Sequence, residues 1–302
     1  MSWGLSLRVY GALLLAMFVW GLSFLAVKDA VATIPVFGLL LTRFAIAALL
    51  LGLLAWRRKE IRLPRRDLLH LAGLSALSPV GYFLFETYGV SLTQASHASI
   101  LIAFIPIVVY LIAFRRRQEE ATWRKSIGIL LAFSGVLTIV LSAPGEEGAS
   151  LLGDLLVMGA VLCAATRTSL LKDALRRFSP VQLTFYQFFF ALFVFAPLAS
   201  TTGFSWLGQM TPTLWGEVLF LGIGCSAIAF LAMHYALSHI SATQVAVSAN
   251  IVPIVTVFAE VLLFGVFVTP LKLTGALLTV AGVVLTQLRS TSREPRLIPR
   301  GG

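Results

Sequence analysis

Residues 104–110 read FIPIVVY, and residues 251–257 read IVPIVTV. Each stretch places a proline, Pro106 or Pro253, inside a long apolar run with the composition of a helix. A proline inside a helix costs about 3 kcal/mol or more, because it removes a backbone hydrogen bond and clashes with the preceding turn. The same costly residue in two similar runs, 147 positions apart, indicates that the chain consists of two related halves.

Other residues match at the same spacing. Five pairs of like residues stand 147 positions apart: Gly128 and Gly275, Gly135 and Gly282, Lys125 and Lys272, Tyr88 and Tyr235, Ser96 and Thr243. We therefore interpret residues 10–141 and 151–288 as two repeats, joined by an external linker at 142–150 and flanked by cytoplasmic ends at 1–9 and 289–302.

The composition is that of an integral membrane protein. Hydrophobic residues make up 58% of the chain and charged residues only 12%, against about 25% charged in soluble domains. Runs long enough to cross a bilayer, about 20 residues each, recur ten times: at 10–30, 36–56, 68–89, 94–114, 122–141, 151–171, 180–199, 213–237, 242–264 and 270–288. We predict an all-α protein of ten transmembrane helices. Because five spans per half is an odd number, the two five-helix repeats are inverted.

The distribution of Lys and Arg predicts the orientation. The N-terminus, the tail and the links after spans 2, 4 and 6 contain 19 of these residues, whereas the opposite ends contain only Lys28 and Lys272. Positively charged loops remain in the cytoplasm, so we expect both termini to be cytoplasmic. The formal net charge of +10 is then explained by topology and by attraction to anionic lipid. A nucleic-acid partner is not expected.

Several functional classes lack their sequence signals. The chain has no HExxH, Gly-x-Ser-x-Gly, P-loop or CxxC pattern, which argues against an enzyme, an ATP-driven pump and a metal centre. Two cysteines inside spans are expected to pack as small apolar residues. A channel would need a carbonyl-lined filter or a ring of subunits, and neither is indicated. No cofactor is predicted.

Inverted halves are the plan of many alternating-access transporters, whose binding site lies near the midplane between the repeats. Pro106 and Pro253 both fall near the bilayer centre, where the carbonyls that they free need protein or water partners. We therefore expect spans 4 and 9 to face a cavity and the two prolines to act as hinges. The alternative is ordinary proline usage, because proline is commoner in membrane helices than in soluble ones.

Polar residues and a tryptophan near the predicted midplane are candidates for substrate binding. They are Trp20 in span 1, Ser78 in span 3, Ser99 in span 4, and Ser248 and Asn250 in span 9. Helix-to-helix hydrogen bonding is an equal alternative for the Ser and Asn side chains. A tryptophan at mid-depth needs a reason, because the residue is enriched at the membrane interfaces. Stacking against a solute ring and plain packing are the two explanations.

A second set lies towards the outer side. Tyr82 and His97 are further candidates for solute contact, and Arg43 lies deep enough in span 2 that we do not expect it to face lipid. Arg43 could pair with Glu86 or hold a solute carboxylate. Glu86 and Glu260 lie near the outer ends of their spans, which favours interfacial placement, with proton coupling as the alternative.

On the cytoplasmic half, Gln244, His234 and Tyr235 form another polar group. Two polar vestibules around one apolar centre are what alternating access requires. A structural role for any single histidine remains the commoner outcome.

These features together resemble the EamA-type drug/metabolite transporters. The resemblance lies in the Trp-Gly of span 1, in SLTQASHASILIAFIPIVVYLIAF (91–114) with its counterpart SHISATQVAVSANIVPIVTVFAEVLLF (238–264), and in the Gly-x6-Gly of spans 5 and 10. The second half reads AATRTSLLKD where a second Trp-Gly would recur, which argues against symmetric solute contacts.

The resemblance implies a bacterial inner-membrane exporter of small metabolites that works without a bound cofactor. It is similar to aromatic amino-acid exporters, whose cavity is lined by both halves, so aromatic or apolar amino acids are the expected substrates. It points to Trp20, Tyr82, His97, Ser99 and Asn250 as cavity residues. The alternatives are other metabolites, nucleosides or cationic drugs, or a channel or a non-transporting subunit. The partners are the solute and lipid, and a monomer and a homodimer are equally compatible.

Overall fold

The computed structural model describes residues 3–115, 123–142, 149–240, 245, 248–249, 251–265 and 269–287. Helices account for nearly all of the described residues. They are α1 (Trp3–Ala30), α2 (Val36–Arg57), α3 (Arg65–Ser75), α4 (Tyr82–Leu92), α5 (Ala95–Ile102), α6 (Ile105–Arg115), α7 (Trp123–Ser142), α8 (Leu151–Ala174), α9 (Pro180–Thr202), α10 (Pro212–Leu219), α11 (Ala229–His239), α12 (Ile251–Phe264) and α13 (Pro270–Gln287).

Within the part of the chain that the structure describes, seven helical stretches are long and apolar enough to cross a membrane, and three shorter apolar helices cover Ser126–Thr138, Ile251–Leu263 and Pro270–Leu285. Two of the seven stretches contain a wide π-helical segment: Ala76–Gly81 joins α3 to α4, and Phe220–Ile228 joins α10 to α11. The prediction of a helical, multi-pass membrane protein is confirmed.

The sequence predicts prolines inside two kinked helices, but the structure places both prolines in the first turn of a helix. Pro106 is the second residue of α6 and Pro253 is the third residue of α12. Proline is tolerated in the first turn of a helix, where its missing N–H has no intrahelical partner. The expected cost is therefore largely avoided. Pro253 cannot donate to the carbonyl of Ala249, four residues earlier. That carbonyl instead accepts from the amide of Val252 at 3.0 Å.

The sharpest break in a described span occurs at Ser78, before Pro79. Ser78 is extended, with φ −158° and ψ 127°, because a following proline disfavours the helical region. The carbonyl of Ser78 accepts from Gln187 Nε2 at 3.1 Å, and Ser75 Oγ donates to the carbonyl of Gln187 at 2.7 Å. Gln187 of α9 therefore satisfies backbone that the break exposes.

Glycines allow α7 and α13 to cross with their backbones in contact. A Cβ on Gly135 would lie 2.5 Å from the carbonyl oxygen of Gly275, and a Cβ on Gly282 would lie 2.5 Å from that of Gly128. Both distances are too short for any side chain. Close approach through small residues is a common basis of helix association in membranes.

The remaining helices surround a central space. α1 packs against α11 and α12, α8 packs against α4 and α6, and α2 packs against α9. Gly21 of α1 fits against α12, where Thr256 Oγ1 donates to the Gly21 carbonyl at 2.7 Å. This packing places α1, α2, α4, α8 and α11 around one cavity.

Candidate solute-binding cavity

The cavity has a volume of about 120 Å³. Most of its lining is aliphatic or aromatic, and a smaller set of residues is polar or charged. The latter are Trp20, Ser23, Arg43, Ser78, Tyr82, Glu86, Arg167 and Thr168. A mostly apolar cavity with a few polar groups is the usual form of a small-molecule site.

Trp20 is held on two sides. Its Nε1 donates to the carbonyl of Cys225 at 3.1 Å, and its ring meets Phe230 edge to face with centroids 5.2 Å apart. Cys225 belongs to the π-helical segment between α10 and α11. Packing therefore accounts for the depth of Trp20, while part of the ring still lines the cavity.

Arg43 of α2 is 1% exposed. Its Nε donates to Ser226 Oγ at 3.1 Å, and its Cζ lies 4.5 Å from the ring centroid of Phe83. Its Nη1 is buried without a hydrogen-bond partner. A buried, unsatisfied guanidinium N–H is costly, so this atom is the clearest unmet donor of the cavity.

Arg167 of α8 is a second buried arginine, 5% exposed. Its Nη2 lies 2.8 Å from His234 Nε2, and its Cζ lies 5.3 Å from the ring centroid of Phe230. Its Nε has no hydrogen-bond partner. Arg167 is not among the candidates selected from the sequence, although a charge in an apolar run is the signal that would have found it.

Hydrogen bonding fixes the tautomer of His234. Thr184 Oγ1 donates to the Pro180 carbonyl at 2.6 Å and lies 2.8 Å from His234 Nδ1. With its only proton used, the hydroxyl accepts from Nδ1–H. Nε2 then has a lone pair for Arg167, because an arginine can only donate. The histidine is therefore neutral and serves to hold the guanidinium.

Glu86 and Tyr82 lie one turn apart on α4. Glu86 is 2% exposed and lines the cavity, so its side chain faces the protein interior, and its placement near the membrane interface stays a prediction. The helix turns the side chain inward, where Oε2 accepts from Thr87 Oγ1 at 2.9 Å. The predicted alternative of a pair with Arg43 is not formed, since no described carboxylate lies within 4.0 Å of Arg43.

His97 and Ser99 lie outside the cavity, contrary to expectation. His97 is fully buried, and its Nδ1 lies 3.3 Å from Asp154 Oδ2 of α8. Ser99 Oγ donates to the carbonyl of Ser96 at 2.8 Å. α5 packs against α8 and α12, so these polar groups are used between helices. Ser78 does line the cavity, and its Oγ has no partner.

Two other predicted residues, Ser248 and Glu260, do not line the cavity. Ser248 is half-buried and does not line the cavity, although the next residue, Ala249, does. Asn250 and Gln244 are outside the described residues. Glu260 faces Lys272, with Oε2 and Nζ 4.0 Å apart, so it does not line the cavity either.

Both predicted hinge prolines adjoin the cavity. Ile105 precedes Pro106 and Val252 precedes Pro253, and both of these neighbours are lining residues. The prolines therefore begin the helices whose first turns border the cavity. Their role as hinges stays a prediction.

Comparison with known proteins identifies the type of protein. The model of the EamA-like transporter family matches twice, over residues 7–141 and 151–288. An uncharacterized transporter of Bacillus subtilis, YcxC, is 29% identical, covering 95% of each chain. A probable terminal-alkyne amino-acid exporter of Streptantibioticus cattleyicolor is 28% identical, covering 94% of each chain. A crystal structure with a TM-score of 0.65 and 18% identity, covering 92% of this chain and 95% of the other, has the same fold.

Proposed function

Because the chain belongs to the EamA-like transporter family, we propose that it exports amino acids, aromatic or apolar ones in particular, across the bacterial inner membrane. The observation on which this proposal depends most is the buried cavity, where both halves of the chain place charged groups among aromatic rings. The solute would bind there and be released to the opposite side by alternating access.

The proposal includes ten spans in two inverted halves, with both termini cytoplasmic. Two observations support it. The family model matches each half separately, and the glycine contacts of α7 and α13 are reciprocal. The 147-residue spacing pairs Gly128 with Gly275 and Gly135 with Gly282. When each glycine is exchanged for its counterpart, the Gly135–Gly275 contact becomes the Gly282–Gly128 contact. Such exchange is the property of elements related by a two-fold axis.

The chemistry of the cavity suits an amino acid. A zwitterion needs an anion-binding and a cation-binding partner, and Arg43 and Glu86 both line the cavity. The cavity volume of about 120 Å³ is of the same order as the engineered apolar cavity of about 150 Å³ that binds benzene, which is the scale of one ring or a branched aliphatic side chain. The relative named a probable amino-acid exporter also supports this substrate class.

Cationic drugs are disfavoured as substrates by the two buried arginines. A cation would meet like charge from Arg43 and Arg167, which both line the cavity. Nucleosides and other neutral metabolites remain the second candidate class, because an apolar cavity with aromatic walls also fits a nucleobase.

Alternating access also needs contacts that close each side in turn. We propose two groups between the halves for this role. In one, Asp154 Oδ1 accepts from Thr93 Oγ1 at 2.7 Å, beside His97. In the other, Glu60 Oε2 accepts from Ser179 Oγ at 2.6 Å. By the predicted topology, the first group lies on the outer side and the second on the cytoplasmic side.

Counterflow into proteoliposomes tests the proposal. Vesicles loaded with unlabelled L-phenylalanine are diluted into radiolabelled L-phenylalanine, with L-leucine and uridine as parallel solutes. Saturable uptake of the amino acids, accelerated by preloading, is expected. Uptake of uridine but of neither amino acid would indicate a nucleoside transporter instead. Flux without saturation or acceleration would indicate a channel. Repeating the assay with a pH gradient tests proton coupling through Glu86 or Glu260.

A further inference from the structure

Each of the two buried arginines lies over one ring of the same contacting pair. The Arg43 guanidinium lies over Phe83, the Phe83 and Phe230 centroids are 5.8 Å apart, and the Arg167 guanidinium lies over Phe230. One arginine comes from each half of the chain. Both guanidiniums therefore border the same pair of cavity-lining rings.

Three residues in α11 and the π-helical segment before it contact the two arginines. Ser226, Phe230 and His234 are four residues apart in sequence, which places them on the same side of a helix. Ser226 accepts from Arg43, Phe230 lies under Arg167, and His234 accepts from Arg167. These three partners are neutral, so they orient the guanidinium groups without neutralising them.

The charges of the described lining residues do not balance. Arg43 and Arg167 contribute two positive charges, and Glu86 is the only described acidic residue in the lining. Among the residues that the structure describes, no carboxylate lies within 4.0 Å of either arginine. Buried charges are normally paired. Arg43 Nη1 and Arg167 Nε also lack hydrogen-bond acceptors. A bound anionic group would supply a counter-charge and hydrogen-bond acceptors.

We propose that the solute is recognised through a carboxylate bound by the Arg43 and Arg167 pair, and that its amino group is dispensable. This inference rests on the proposed function, because it concerns the same cavity, but it assigns a different requirement. Arginine binds carboxylates through paired N–H donors. Phe83 and Phe230 keep each guanidinium in place by cation–π contact, and the apolar lining receives the rest of the solute.

Three probes with one phenyl ring separate the groups: 3-phenylpropionate has only the carboxylate, phenethylamine has only the ammonium, and L-phenylalanine has both. Isothermal titration calorimetry on the purified full chain in detergent at neutral pH measures binding without leakage across a bilayer. We expect 3-phenylpropionate to bind at least as tightly as L-phenylalanine, and phenethylamine about tenfold more weakly or worse. Equal or tighter binding of phenethylamine would overturn the proposal.

Variants test the assignment to these two residues. Arg43→Gln and Arg167→Gln should each weaken 3-phenylpropionate about tenfold or more, because each loses charge-assisted hydrogen bonds. Arg43→Lys and Arg167→Lys should lie in between, since lysine keeps the charge but loses the planar fork. Arg58→Gln, an exposed arginine after α2, is the matched control and should change affinity less than twofold. Unchanged affinity in both glutamine variants would contradict the proposal.

The outcomes also separate this proposal from the proposed function. If a glutamine variant fails to fold, the three-probe series on the unaltered protein still decides. Counterflow of L-phenylalanine together with no binding of 3-phenylpropionate would overturn the carboxylate site and leave amino-acid export standing. Binding of 3-phenylpropionate without counterflow of any amino acid would support the carboxylate site and overturn amino-acid export.

Discussion

Arg167 and His234 form a buried pair in which a guanidinium donates to a neutral imidazole, with Nη2 and Nε2 2.8 Å apart. The histidine is held in turn by Thr184, whose hydroxyl proton is used by the Pro180 carbonyl. The arrangement fixes the position of a buried positive charge beside the cavity. It uses no acidic residue for that purpose.

Replacing His234 by leucine should destabilise the protein, because Arg167 Nη2 would lose its acceptor while the charge stays buried. Leaving a buried donor without its acceptor typically costs about 1–3 kcal/mol, and more when the group is charged. His234→Gln can still accept from Arg167 and should cost only about 1 kcal/mol. Denaturation in detergent micelles measures the free energy of unfolding. His239→Gln, at an exposed histidine, is the control, and equal losses in all three variants would contradict the assigned role.

The crossing of α7 and α13 should not tolerate a side chain at Gly135. A Cβ there would lie 2.5 Å from Gly275 O and from Thr279 N, so Gly135→Ala must separate the helices. Overpacking typically costs about 1–3 kcal/mol. Gly216→Ala in α10 is the matched control, since nothing lies within 4 Å of a Cβ at that position. Thermal unfolding in detergent would show a lower midpoint for Gly135→Ala alone.

Removing the Trp20 ring should change solute preference. The indole lines the cavity beside Phe230, so Trp20→Ala should weaken aromatic solutes more than aliphatic ones. Competition against labelled L-phenylalanine by L-tryptophan and L-leucine measures this ratio. Trp56→Ala replaces an indole that is 67% exposed and should leave the ratio unchanged. An equal loss for both solutes in Trp20→Ala would reduce the residue to packing.

The prolines at the starts of α6 and α12 should affect rate more than affinity. Pro106→Ala and Pro253→Ala allow the preceding turns to become regular helix, which would stiffen the segments next to the cavity. We expect a lower maximal counterflow rate with little change in the half-saturating concentration. Pro212→Ala, at the first residue of α10, tests a proline at a helix start that does not line the cavity. Unchanged rates in both cavity variants would exclude a hinge role.

Much of the fold could be predicted from the sequence, because hydropathy and span length are local properties. Residues 36–56, for example, correspond to helix Val36–Arg57. The break at Ser78 was not predicted, although Pro79 was visible. Its stability depends on Gln187, 109 positions away, and no local pattern reports such a partner.

The position of a residue along its span could be predicted from the sequence, but the direction in which its side chain points could not. Arg43 lies deep in its span and lines the cavity, as expected of a charge that is costly to expose to lipid. Trp20, at mid-depth, lines the cavity as well. His97 lies near the start of its predicted span and is turned towards Asp154, because α5 packs against α8. Arg167 is visible in the sequence as a charge in an apolar run, but its partner His234, 67 positions along the chain, is not.

The central claim is that one cavity opens to each side of the membrane in turn. Thr168 lines that cavity and is half-buried, so Thr168→Cys in a Cys163→Ala, Cys225→Ala background places a single thiol inside. A membrane-impermeant maleimide is applied to right-side-out and inside-out vesicles, with and without L-phenylalanine, once counterflow by this variant has been established. The account predicts labelling from both sides, slowed by the solute in each case. Labelling from one side only, with undiminished counterflow, would contradict it.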